Sequence, residues 1–217
     1  MSLNKIYELS IFLIPLLISV ILHEIAHGFV ALKLGDNTAK RLGRLSLNPI
    51  VHIDLYMTIL FPLMLILVHS PFIIGGAKPV PINPMYFKSP RKGMGIVALA
   101  GPLVNLFLAI LSYILLKIIV VLNMFWDYYL FEIVSSFIIP YFQTAVVINV
   151  ILMVFNLIPI LPLDGGRVVN ALLPRKFAFY YSKTEKYGFI ILLLFVFSNC
   201  FSKIILPIMH FVLKLVF

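Results

Sequence analysis

The chain has 217 residues, of which 62% are hydrophobic and 12% charged. Soluble domains run at about 45–50% apolar and about 25% charged, so an ordinary soluble enzyme, a disordered chain and a fibrous protein are excluded. The net charge of +9 then reads as basic loops of a membrane protein rather than a nucleic-acid surface. No basic run is long or interleaved with aromatics, and no nucleic-acid partner is expected.

The first apolar segment runs from about Ile11 to Leu34. It is too long for the core of a signal peptide and has no small-residue cleavage site, so it reads as a retained span. Leu55 to Ile74 is apolar enough to span but is interrupted by Pro62. The next segments run from about Gly95 to Asn123 and from Ser136 to Leu161. A last one starts near Gly188 and reaches the C-terminus, broken by Ser198, Asn199 and Ser202. About 20 apolar residues cross the hydrocarbon, and each of the four uninterrupted segments meets that. The tail from Ser202 to Phe217 carries Lys203, His210 and Lys214 on roughly one face. It reads either as part of a span or as a separate interfacial helix.

Charge orients these segments. Residues 33–54, 75–94 and 164–187 carry most of the Lys and Arg, whereas residues 124–135 carry only Asp127 and Glu132. Cytoplasmic loops are the basic ones. Placing all three basic loops on one side requires 55–74 to enter and leave on the same face. The segment is therefore expected to be re-entrant, or a hairpin bent at Pro62, with an ordinary span as the alternative. Arg41 to Pro49 alternates polar and apolar, the period of a strand. Ala77-Lys-Pro-Val-Pro-Ile-Asn-Pro84 has three prolines in eight residues and must be extended. The aromatic cluster Trp126 to Tyr129 reads as an outer interfacial belt. The expected fold is an all-α polytopic membrane protein of about five to six membrane segments. Short extended or β segments lie in its cytoplasmic loops. The chain reads as a single domain, 1–217, with a core of about 11–174 and a C-terminal span and tail of about 188–217.

Two acidic residues sit where charge is costly. Glu24 lies inside the first span, within His23-Glu24-Ile25-Ala26-His27, and Asp164 ends the third. Residues i and i+4 share a helix face, so His23 and His27 can reach one metal ion. Glu24 can reach a water there, take its proton and deliver it to a leaving amine. The single cysteine, Cys200, rules out a thiolate site. Asp164 is the best third ligand. Pro159 and Pro162 unwind the backbone before it, and Gly165 and Gly166 permit a sharp turn after it. A turn or N-cap aspartate is the plain alternative. His52 is read as ordering its loop, with support of the metal site as the alternative, His69 as interfacial, and His210 as facing headgroups.

These residues resemble the site-2 proteases, the intramembrane zinc metalloproteases. The resemblance rests on the H-E-x-x-H helix, on Gly101-Pro102-Leu103-Val104-Asn105, and on Asn156 through Gly166, in family order. The loops resemble the small bacterial branch without a PDZ-like insert or a nucleotide-binding regulatory domain, and neither is expected in a chain of this length. Leu55-Tyr56-Met57 and Gly75-Gly76 depart from that branch, which bears on loop shape and substrate choice. The resemblance implies one Zn2+ per chain, held by His23, His27 and Asp164, with Glu24 as catalytic acid/base. It implies substrate or oxyanion contact for Asn156 and core packing for Gly101 and Asn105. It implies regulated cleavage of a transmembrane or signal-like helix of a membrane protein, in a bacterial cytoplasmic membrane and among its lipids, with the site nearer the cytoplasmic face. Extended loop stretches would pair with the substrate as an added strand. A metal-binding transporter and an inactive helix-binding module are the rivals.

Overall fold

The computed structural model describes residues 3–55, 60, 64, 76–125 and 129–217. The expected re-entrant segment lies largely outside them, as do His69 and much of the aromatic belt. Eight α-helices are seen among the described residues. They are α1 (Leu3–Lys33), α2 (Thr38–Arg41), α3 (Pro90–Phe125), α4 (Tyr129–Asn156), α5 (Asp164–Leu172), α6 (Arg175–Ser182), α7 (Gly188–Phe197) and α8 (Asn199–Val216). Short 3-10 turns occupy Pro49–His52, Pro84–Tyr86 and Lys183–Tyr187.

Among the described residues, three helices are long and apolar enough to cross a membrane, over Ile6–Lys33, Pro90–Leu122 and Ser135–Asn156. At 1.5 Å per residue each of these stretches reaches about 30 Å or more, the thickness of a hydrocarbon core. Their outer faces keep large apolar side chains exposed, among them Phe12, Leu17, Phe107 and Ile114. An aqueous surface would penalise such a face, and a lipid one would not. Helix α3 is central and packs on α1, α4 and α5, while α1 also reaches α4.

The last apolar segment is not one continuous helix. The backbone turns extended at Ser198 and divides it into α7 and α8. Helix α8 buries Val212 and Val216, four residues apart, against Leu116 of α3 and Val146 of α4. Lys203, His210 and Lys214 stay exposed.

No strand forms among the described residues, which corrects the β expectation for the loops. The alternation from Arg41 to Pro49 starts inside a helix end instead. Asp36 accepts the N–H and hydroxyl of Thr38, the first residue of α2. Gly43, at φ +65°, then closes the helix, with its N–H on Lys40 O and that of Arg44 on Ala39 O. The proline-rich stretch forms no ladder, because Pro79, Pro81 and Pro84 have no N–H to give. Three of its other N–H groups are held one by one. Lys78 N–H bonds His52 O at 2.8 Å, Val80 N–H bonds Glu24 Oε2 at 2.8 Å, and Asn83 N–H bonds Asp36 Oδ2 at 2.6 Å. Arg44, itself buried, donates from Nη2 to Lys78 O at 2.7 Å and Pro79 O at 3.3 Å. Phe87, packed with Ala31 and Val97, fixes the far end of the stretch between α1 and α3.

Candidate metal centre

His23 and His27 lie one turn apart on α1, and both are buried. Each is held by its Nδ1. In His27 that atom lies 2.8 Å from Val97 O. A carbonyl only accepts, so His27 carries its proton on Nδ1 and leaves Nε2 as a lone pair. In His23, Nδ1 lies 2.6 Å from Oδ1 of Asn105, with the same consequence. The two Nε2 atoms sit 3.0 Å apart. Two lone pairs that close, in a buried site, call for a cation between them.

Asp164 completes the set. Its Oδ2 lies 3.2 Å from His23 Nε2 and 3.3 Å from His27 Nε2. All three ligand atoms fall within 4.8 Å of one another. A tetrahedral zinc with bonds of about 2.0–2.1 Å separates its ligand atoms by roughly 3.3–3.4 Å. The observed edges of 3.0–3.3 Å match that spacing with little adjustment, so the donor set fits the ion.

The carboxylate arrives there because α4 stops at Asn156 and the chain unwinds through residues 157–163. Unwound carbonyls must be satisfied. Ile158 O takes the N–H of Ile160, and Ile160 O that of Leu163. Pro159 O takes the hydroxyl of Tyr181 at 2.9 Å, and Pro162 O takes Nε of Arg167 at 3.3 Å. Asp164 then opens α5, where the positive end of the helix favours a carboxylate. A Cβ on Gly165 would collide with the carbonyls of Leu157 and Ile158, so only glycine lets α5 start this close to the unwound stretch. Gly101 does the same on α3. A Cβ there would lie 2.5 Å from Cε1 and Nε2 of His23 and from Nε2 of His27.

Glu24 is half-buried on the same helix, about 100° round from His23. Its Oε2 takes the N–H of Val80. Asn156 bonds back to Leu152 O at 2.9 Å within its own helix, and no hydrogen bond joins it to the three converging residues. Asn105 is more than the packing residue expected, since it touches His23 directly. Behind it stands Asn149 of α4, whose Oδ1 accepts from Asn105 Nδ2 at 3.2 Å. Sequence reasoning missed Asn149, although an asparagine amid the apolar run of α4 was signal enough. His52 is buried and donates from Nε2 to Ser46 O at 2.8 Å, which orders its own loop.

A family model described as peptidase family M50 matches residues 11–198. A Bacillus subtilis protein named as a zinc metalloprotease, YwhC, is 37% identical over 210 residues, covering 94% of this chain and 89% of its own. A zinc metalloprotease of Methanocaldococcus jannaschii is 28% identical over 176 residues, 81% of this chain but 38% of its own. A Mycolicibacterium smegmatis protein named as a zinc metalloprotease, Rip2, is 26% identical over 189 residues, 86% of this chain and 66% of its own. No solved structure matches the chain at a significant level.

Proposed function

The chain belongs to peptidase family M50, the site-2 protease family, and from that premise we propose that it is an intramembrane endopeptidase whose zinc is held by His23, His27 and Asp164. It is a membrane protein and a zinc-dependent metalloendopeptidase. The observation that carries the finer reading is the convergence of Nε2, Nε2 and Oδ2, with both histidines on a helix long enough to span a bilayer.

Zinc, when bound, supplies a Lewis acid that polarises the scissile carbonyl and lowers the pKa of water toward 7. The chain's own residues do the rest. Glu24 takes the proton from the attacking water and returns it to the leaving amine. The N–H of Val80 holds that carboxylate in one orientation. The carbonyls of Val97 and Asn105 keep both imidazoles with Nε2 free. Asn156 contacts the substrate or its developing oxyanion after a rotamer change.

The substrate is a transmembrane or signal-like helix of a membrane protein, unwound locally before cleavage, because a helical peptide bond is shielded by its neighbours. The basic loops support a site opening toward the cytoplasmic side of a bacterial cell membrane. Residues 1–217 act as one catalytic domain.

The test is co-reconstitution of the full chain with total membrane protein and mapping of new termini by mass spectrometry. Zinc-dependent termini within apolar spans, absent with Glu24→Gln although zinc is retained, are expected. The same termini from the Gln variant would sink the mechanism.

A further inference from the structure

Three buried side chains on three helices form one directed chain of hydrogen bonds that ends on His23. We propose that Asn149 is a positioning residue for the metal centre: acting through Asn105, it fixes the proton of His23 on Nδ1 and keeps Nε2 open to the ion. The inference rests on His23 being a ligand.

The direction of the chain is set at its far end. The side-chain amide of Asn149 faces the carbonyl of Ala145 at 2.9 Å, one turn back on α4. A carbonyl cannot donate, so Nδ2 must point there and Oδ1 must point away. That Oδ1 meets Asn105 at 3.2 Å and can only accept, so Asn105 presents Nδ2 to it. The Oδ1 of Asn105 is thereby turned toward His23, 2.6 Å from Nδ1. Every step follows from the donor and acceptor inventory, and no water is needed. Asn105 is 0% exposed and Asn149 2%, so no solvent competes for either amide.

The reverse orientation shows what the chain prevents. With its amide flipped, Asn105 would aim Nδ2 at His23. Nδ1 would then have to accept, the proton would move to Nε2, and the ligand atom would be closed. His27 has a backbone carbonyl to fix its tautomer. His23 has a rotatable amide, which needs a second group to hold its sense. Asn149 is that group. Support of this kind typically alters metal affinity by about 10–100-fold. A simple polar bond between membrane helices would instead be worth little and would act on stability alone.

The experiment measures zinc affinity by competition with a chromogenic chelator on the purified full chain in detergent. Asn105→Leu, Asn149→Leu, the double variant and Asn149→Asp are compared with wild type. A His23→Ala/His27→Ala control is run alongside. Zinc bound by wild type and lost in the histidine control tests the ligand assignment by itself. Asn149→Leu is expected to bind zinc about 10–100-fold more weakly. The double variant should be no weaker than Asn105→Leu, because both act on one imidazole. Asn149→Asp in its neutral form keeps a donor for Ala145 O and an acceptor for Asn105, and should restore most of the affinity. Wild-type affinity in a folded Asn149→Leu would overturn the proposal, and so would losses that add in the double variant. If the leucine variant does not fold, Asn149→Ala makes the same comparison.

Discussion

The carboxylate of Glu24 takes its hydrogen bond from the main-chain N–H of Val80, 56 residues away in sequence and 2.8 Å away in space. That N–H sits between Pro79 and Pro81, which hold the backbone extended on both sides. Arg44 pins the carbonyls just before it. The loop thus delivers one main-chain donor to α1 at Glu24.

Val80→Pro removes that donor while suiting the extended backbone. A hydrogen bond to a charged group is worth about 1.5–3 kcal/mol, so the turnover rate should fall roughly 10–100-fold. Zinc content should be unchanged, since no ligand is touched. Val80→Ala keeps the N–H and should retain most activity. Equal rates for wild type and the proline variant, measured on one cleaved substrate, would show that Glu24 does not depend on this bond.

Gly101→Ala tests the space beside the imidazoles. Its Cβ would sit 2.5 Å from Nε2 of both histidines, and a helix backbone this well packed has little room to retreat. Overpacking of this kind costs about 1–3 kcal/mol, felt here as weaker zinc binding and loss of cleavage. Gly43→Ala is the contrasting control. A Cβ at Gly43 meets nothing within 4 Å, and only its φ of +65° is strained. It should lower stability by about 1 kcal/mol and leave zinc affinity alone. Zinc affinity in Gly101→Ala equal to wild type would mean that the imidazoles move freely.

The converging residues were legible because each was anomalous. His23, Glu24, His27 and Asp164 are titratable groups in apolar surroundings, and the spacing of the first three on one helix is rigid. Asn149 carried the same kind of anomaly but no partner in sequence, so nothing tied it to His23. The loops were legible only as extended. The period-two pattern from Arg41 to Pro49 meant little, because α2 and the Gly43 turn that closes it take up the first part of it. The break at Ser198 was visible as polarity, yet its consequence, two helices with Val212 and Val216 turned inward, depended on what α3 and α4 offered.

Metal removal should be readable as stability. A ligand that binds only the folded chain adds about 2.7 kcal/mol at 100 times its Kd. Without it, two imidazole lone pairs face each other at 3.0 Å beside a carboxylate. Chelation should therefore lower the Tm of the wild type, and added zinc should restore it. The His23→Ala/His27→Ala variant should show neither change. Asp164→Ala should give a reduced zinc response, since two ligands remain. An identical chelator response in wild type and the double variant would place the zinc elsewhere.

Asp36 predicts how the loop responds to acid. The residue is fully buried just past α1, with Thr38 and Asn83 around it. Burial by itself would raise the Asp36 carboxyl, but the Thr38 hydroxyl and the N–H groups of Asn83 and Thr38 outweigh it and hold the group below its ordinary value. A carboxyl depressed in the folded state binds protons more tightly when unfolded. Its stabilisation is therefore complete above the unfolded pKa of about 4, and is lost as pH falls through the folded value. Asp36→Ala should cost about 1–3 kcal/mol at pH 7 and expose the 76–83 stretch to protease. The gap between wild type and variant, followed as Tm from pH 7 downward, should hold to about pH 5 and then close. A gap that persists unchanged at pH 3 would mean that Asp36 acts by packing, not by its charge.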